Sequence, residues 1–438
     1  MTRSTAARLR EAGLGRPEAA QKAALFAVAE SALGPGRRYW VPGRIEVLGK
    51  HTDYAGGRSL LVAAERGFCA VAAPREDAVL ALEDAISGAG VSVPLDPEAV
   101  PPPSGAGLYA AVVARRLARD FPGPLRGLDL AYASDLPAAA GLSSSAALVS
   151  LLYSVIADEN RLWEREEHAR NLRTREDLAS YLGCVENGYA FRGLQGDHGV
   201  GTLGGSEDHT AILECRPGKL SRFRFCPVEA EGVAPVPEGC VFAVAVSGVE
   251  AEKTGAARER YNRASSAAAA ALEAWRTDTG RDDETLFRAA TSAPDAPERL
   301  REAVARRPCR GFSAEELDRR VEHFLQESLE LVPAAGDALA AGDLAAFGAI
   351  ADRSQAGAER LLGNQIPETI ELARGARELG AHAASAFGAG FGGSVWALVD
   401  ERRAEEFLAA WERGYRRTFR AHAPAFFATG AGPGLLRL

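Results

Sequence analysis

Residues 128–158 restrict the choice of fold more than any other stretch of the chain. Leu-Asp-Leu-Ala-Tyr-Ala-Ser at 128–134 has the alternation of a half-buried strand. Asp135-Leu-Pro-Ala-Ala-Ala-Gly-Leu-Ser-Ser-Ser-Ala-Ala147 follows, and an apolar helix is expected from about 146 to 158. A strand, a loop of small residues and a helix start together leave unpaired amides at the positive end of a helix dipole, where a phosphate can be held. There is no G-x-x-x-x-G-K-[ST], so this is not a Walker loop. A serine cap alone would explain one of the three serines. The remaining two and Gly141 call for another role.

A second dense stretch is Pro-Gly-Arg-Ile-Glu-Val-Leu-Gly-Lys-His-Thr-Asp-Tyr-Ala-Gly-Gly at 42–57. An apolar strand breaks at Gly49, and Lys50, His51, Asp53 and Tyr54 are set together in a bend closed by Gly56-Gly57. Donors and acceptors packed onto one turn suit a polyol, whose hydroxyls each need both.

The chain has 438 residues, more than one hydrophobic core usually serves, so two domains are expected, divided at 210/211. A net charge of −8 argues against nucleic acid or an anionic membrane as the main partner. An anionic ligand must then be met by local cations and amides. The six cysteines are scattered, without a C-x-x-C pair, as in small buried residues of a reducing compartment. The basic Met1–Arg10 runs into an amphipathic helix rather than an apolar segment, so the expectation is a cytoplasmic protein, a monomer or weak dimer.

Helices are expected over 5–33, 107–120, 163–191 and 256–275, with two or three more in 283–381. Strands are expected over 39–48, 58–73, 210–214, 221–226 and 240–247. The glycine-rich stretch 193–206 delivers Glu207-Asp208-His209 just ahead of the expected strand 210–214. A second glycine loop, Gly388 to Gly393, is placed between a helix and a buried strand.

Several of these motifs resemble those of one family. Residues 43–54 resemble the galactokinase signature Gly-Arg-Val-Asn-Leu-Ile-Gly-Glu-His-Thr-Asp-Tyr, with Lys50 in place of the signature's Glu. Residues 135–147 resemble the second motif of GHMP kinases and 384–399 the third. Gly205-Ser206-Glu207-Asp208-His209 resembles the catalytic Cys-Gly-Ile-Met-Asp-Gln segment, and Glu259-Arg260-Tyr261-Asn262-Arg263 the segment Glu-Tyr-Asn-x-Arg-Arg. The motifs occur in the family's order across roughly residues 40–400.

This resemblance implies an α+β, two-domain GHMP kinase fold: an N-terminal domain like domain 2 of ribosomal protein S5 and a ferredoxin-like C-terminal domain, with the site between them. It implies an ATP-dependent sugar 1-kinase using Mg2+, most simply a galactokinase. Asp208 and Arg44 match the catalytic pair. Lys50, His51, Asp53, Gly205 and Tyr261 match sugar-binding positions. Gly141, Leu142, Ser143, Ser144, Ser145 and Ala146 match the nucleotide loop, and Ser145 and Glu186 the metal ligands. Glu207 is a rival to Asp208. Lys50 opens a second substrate class, because an inward ammonium would pair with the C6 carboxylate of a uronic acid; turned away, it leaves galactose as the simpler choice. A third reading is a catalytically silent sugar and ATP sensor, against which the intact serine loop and Asp208 both speak.

Overall fold

The computed structural model describes residues 4–137, 140–249, 255–307, 309 and 311–438. Helices α1 (Thr5–Glu11) and α2 (Arg16–Leu33) open the chain. Ser4 caps α1 by accepting the Ala7 amide, and Gly34 ends α2 at φ 91°, a conformation natural to glycine. Strands β1 (Arg37–Leu48) and β2 (Arg58–Pro74) follow and pair antiparallel. They are apolar on both faces because both faces are covered. Trp40, Cys69 and Val71 pack on α1 and α2, whereas Tyr39, Val41, Phe68 and Ala70 pack on α3 (Gly105–Asp120) and α4 (Ser144–Asn160).

The N-terminal sheet also takes in β3 (Val79–Asp84), β4 (Gly90–Pro94), β5 (Leu128–Ser134), β6 (Lys219–Arg224) and β7 (Glu229–Pro235). Its order is β12-β1-β2-β5-β3-β4, with β6 on the far part of β2 and β7 beyond it; β12 is Leu436–Arg437 at the C-terminus. The sheet therefore runs past residue 210 and recovers the last residues of the chain.

The second sheet contains β8 (Cys240–Val246), β9 (Ala383–Phe387), β10 (Ser394–Asp400) and β11 (Ala425–Thr429), in the order β11-β8-β10-β9. With helices Pro367–Glu378 and Ala404–Thr418 packed on one face through Leu372, Ala376, Phe407 and Trp411, this is the ferredoxin-like order. Its other face meets the end of β1 directly: Val244, Trp396 and Phe427 share a core with Ile45, Val47 and Leu60. The Trp396 indole donates to the Val47 carbonyl at 3.2 Å. A two-domain α+β fold is thus present as expected, and the junction falls on the strand that carries Arg44.

Four expectations are corrected. The helix expected over 163–191 is interrupted: α5 (Glu166–Asn171) and α6 (Arg175–Asn187) are separate, because Thr174 begins a new helix by capping the Asp177 amide. Residues 210–214 belong to a helix, α7 (Glu207–Glu214), with Glu207 and Asp208 in its first turn, where acidic groups favour the dipole. The glycine loop 388–393 joins two strands, β9 and β10. The region 283–381 holds more helices than expected, and together with α8 (Gly255–Thr279) its first part forms a core of its own around Trp275, Phe287, Leu317 and Phe324.

Candidate functional site

Strand parity sets the site. Ile45 and Val47 point into the core between the sheets, so Arg44 and Glu46 point to the opposite side, toward the cleft. The strand ends at Gly49, at φ 113°; a Cβ there would lie 2.3 Å from Ser59 Oγ and 2.5 Å from Ser59 Cα, so only glycine fits. The turn that follows is tied together by Thr52, whose Oγ1 lies 2.8 Å from the carbonyl oxygens of Gly49 and Arg58.

The helical layer behind the turn supports it. Glu327 accepts the Gly49 amide at 2.8 Å, and the Arg320 guanidinium donates to the His51 carbonyl. His51 Nε2 donates to the Ala389 carbonyl at 3.0 Å, so Nδ1 accepts from the Tyr54 hydroxyl at 2.9 Å. Burial raises the Tyr54 hydroxyl to about 12, so it stays a donor. The second glycine loop thereby touches the first turn.

Arg44 joins the remaining parts. Its Nε and Nη2 donate to Asp208 Oδ1 at 2.8 and 2.7 Å, and its Nη1 donates to the Gly141 carbonyl at 2.5 Å. Its own amide donates to the Leu142 carbonyl at 3.1 Å. Burial opposes its charge, but Asp208, Glu207 and Glu46 outweigh that and raise its pKa. The loop in contact with Arg44 leads through Ser143, at φ 60°, into the first turn of α4 at Ser144, Ser145 and Ala146. Ser143 Oγ is buried without a partner. From the other side, Ser394 Oγ donates to the Ala140 carbonyl at 2.5 Å, and a Cβ on Gly388 would lie 3.0 Å from the Gly141 oxygen. Ala138 and Ala139 lie outside the described residues.

Arg44, His51, Asp53, Glu186, Gly205, Asp208 and Tyr261 line one cleft, joined by Glu46, Glu207 and His209. Asp53 Oδ2 accepts the Glu207 amide at 3.1 Å. Gly205 passes so close that a Cβ would stand 2.3 Å from that same oxygen. Tyr261, on α8, packs its ring 5.1 Å from that of His51. Glu186, on α6, pairs with His209 Nε2 at 2.9 Å.

Lys50 is the residue that departs from its expected place. It is fully buried and does not line the cleft; its Nζ donates to Ser354 Oγ at 2.9 Å, and Ser354 in turn donates to Glu327 at 2.8 Å. The reason is local, since Glu327 and Ser354 offer the ammonium a buried polar seat behind the turn. Among the described residues lining the cleft, Arg44 is the one guanidinium or ammonium, against five carboxyl groups: Glu46, Asp53, Glu186, Glu207 and Asp208.

Two of those carboxyls form a pair. Glu207 is 5% exposed and its Oε2 accepts the Ser59 hydroxyl at 2.5 Å; burial, then the charges of Glu46 and Asp53, push it well above the usual range. Glu46 is hydrogen-bonded to it, and burial lifts Glu46 to about 7. The rival carboxyl at 207 thus faces Glu46 and Ser59, with its Oε1 3.8 Å from Arg44 Nε, while Asp208 stands directly against Arg44 at the cleft. The sequence reading passed over Glu46. The signal was available: it shares strand parity with Arg44, and the signature has Asn at its position.

The chain matches the GHMP kinases N terminal domain over residues 108–194, the galactokinase galactose-binding signature over 34–74 and the GHMP kinases C terminal domain over 336–417. It is 29% identical to the galactokinase of Chloroflexus aggregans over 421 residues, which cover 93% of this chain and 96% of that protein. It is 29% identical to the galactokinase of Mycobacterium tuberculosis over 400 residues, covering 90% and 98%. Among solved structures, Lactococcus lactis galactokinase complexed with galactose superposes with a TM-score of 0.76 at 25% identity, over 95% of this chain and 99% of that one. Methanococcus jannaschii mevalonate kinase shares the fold, with a TM-score of 0.55 at 14% identity over 91% of this chain and 99% of that one.

Proposed function

We propose that this chain, which is a galactokinase-like kinase of the GHMP superfamily, transfers the γ-phosphate of ATP to the anomeric hydroxyl of galactose. The observation that carries this reading is the double engagement of Arg44. One guanidinium holds Asp208 on the sugar side and the Gly141 carbonyl of the phosphate loop on the other. A sugar hydroxyl at Asp208 and a phosphate at the loop then meet beside a fixed positive charge.

Phosphoryl transfer asks for positioning and for neutralisation of charge on the moving group. Asp208 accepts the proton of the attacking hydroxyl, and Arg44, 2.7 Å away, holds that carboxylate in place. Arg44 also faces the charge that builds on the transferred phosphoryl. Loop amides at Gly141–Ala146 and the start of α4 cradle the nucleotide phosphates. His51, Asp53, Tyr261 and the close backbone at Gly205 hold the sugar. The oxygens of Glu186 and the Ser145 hydroxyl are the hard donors that magnesium prefers, so they would hold the ion. Bound there, magnesium would supply charge neutralisation for the nucleotide phosphates.

Galactose is favoured over a uronic acid because Lys50 is turned behind the turn and the cleft wall is acidic. A C6 carboxylate would meet carboxyl groups rather than an ammonium. The test is ADP release with ATP and Mg2+ over galactose, galacturonate, arabinose, glucose and N-acetylgalactosamine. Turnover is expected with galactose and not with galacturonate. ATP binding without turnover of any sugar would favour a silent sensor.

A further inference from the structure

A guanidinium is buried behind the sugar turn with no carboxylate against it. Arg320 lies on the helix Ala314–Leu325, on the inward stripe that carries Leu317, Val321 and Phe324, and is 3% exposed. Among the described residues, no carboxylate oxygen lies within 4.0 Å of its nitrogens. A buried charge without a counter-charge opposes folding, and an apolar side chain would fill the same stripe at lower cost. The bonds that this charge makes are therefore the place to look for its role.

Those bonds go to two separate parts of the sugar cleft. Nη2 donates to the His51 carbonyl at 2.5 Å and to the Tyr54 hydroxyl at 3.3 Å, both on the turn. Nε donates at 3.3 Å to the carbonyl of Ala264, which lies on α8 about one turn beyond Tyr261. Nη1 meets His323 Nδ1 at 3.4 Å; burial, then the charge of Arg320, hold His323 well below the usual histidine range, so that nitrogen can accept. One side chain thus joins the turn that carries His51 to the helix that carries Tyr261, and the two rings it brings together pack 5.1 Å apart on the cleft wall. It also acts on His51 through Tyr54. With Arg320 donating to the phenol oxygen, the phenol proton is directed to His51 Nδ1 at 2.9 Å, which leaves Nε2–H for the Ala389 carbonyl at 3.0 Å. Neither Arg320 nor Tyr54 lines the cleft itself.

Resting on the sugar-kinase reading, we infer that Arg320 is a positioning residue for the sugar: from outside the cleft, its guanidinium locks the His51 turn against the Tyr261 helix, so that galactose meets both rings already in place. The phosphate loop is held separately, by Arg44 and Ser394. Loss of Arg320 should therefore be felt in sugar binding and hardly in ATP binding.

The test is calorimetric titration of galactose, without ATP, into the wild type, Arg320→Met, Arg320→Lys and Tyr54→Phe, with thermal melting and the KM values for galactose and ATP measured in parallel. Arg320→Met should weaken galactose about 10- to 100-fold and raise its KM to match, while the KM for ATP stays within about twofold. Arg320→Lys keeps the charge but reaches fewer of the acceptors, so it should recover part of that loss. Tyr54→Phe leaves Arg320 in place and removes only the link to His51 Nδ1, so it should weaken galactose about fivefold to tenfold. A merely structural role would lower the melting temperature and leave the affinity of the folded protein unchanged. Galactose affinity of Arg320→Met within about twofold of the wild type, or an equal rise in both KM values, overturns the inference. Should Arg320→Met fail to fold, Tyr54→Phe decides, and an unchanged galactose affinity overturns the inference there too. Galactose bound and weakened as expected, but without ADP release, would overturn the kinase reading alone. A wild type that binds neither galactose nor any other sugar of the panel would overturn both.

Discussion

Replacing Asp208 by asparagine removes the charge beside Arg44 and keeps the shape. Oδ1 can still accept from Arg44 Nε and Nη2, so the fold should hold. The difference between a charge-assisted and a neutral hydrogen bond is about 1–1.5 kcal/mol, which for a chain of 438 residues is a melting-temperature loss of about 1–2 °C. The chemistry should suffer far more. General-base assistance contributes about 10²- to 10⁴-fold, so kcat should fall by that factor while KM for ATP stays nearly constant. Glu207→Gln is the control. Glu207 is buried, bonded to Ser59 and pushed above the usual carboxylate range by burial, so an amide of the same shape should leave kcat within about threefold. Steady-state ADP release with galactose as acceptor, at saturating ATP, reads both. Near-wild-type turnover by Asp208→Asn, or a loss confined to Glu207→Gln, would refute the assignment of the base to position 208.

Other variants probe the supporting parts. Lys50→Met should lower stability by about 1–3 kcal/mol, since the Ser354 hydroxyl loses its buried donor while still donating to Glu327, yet leave the ranking of galactose over galacturonate intact in the substrate panel. Gly205→Ala should raise the sugar KM at least about tenfold with little change in the KM for ATP, because the new Cβ, 2.3 Å from Asp53 Oδ2, must displace that carboxylate. Burial raises Glu46 from 4.5 to about 7, so between those values the folded state keeps a proton that the unfolded chain releases, and stability falls as pH rises through that window. The shift corresponds to about 3 kcal/mol, and denaturant unfolding at several pH values should show a shallower decline in Glu46→Gln.

Much of the architecture was legible because local pattern and fold agree. The strand at 128–134, the small-residue loop and the helix beginning at Ser144 lie where the pattern put them. Residues 210–214 did not, since a short apolar run fits strand or helix equally, and the acidic pair at its start, which favours a helix, was read as chemistry rather than as a helix start. That Arg44 and Asp208 meet in one cleft was foreshadowed by the motif resemblance. The direction of Lys50 was not, because its partner Ser354 lies 304 residues away in the chain and no local rule links the two. The buttress at Arg320 and Glu327 was hidden for the same reason, its helices being read as ordinary core.

The central claim is that the guanidinium at position 44 brings the anomeric hydroxyl of a hexose and the terminal phosphate of ATP together. Phosphorus NMR of the protein with ATP, Mg2+ and galactose tests it most directly. One new phosphomonoester, coupled to the anomeric proton and formed in step with ADP, is the predicted result. A phosphate on any other carbon, or ATP hydrolysed to free phosphate with the sugar unchanged, would contradict it.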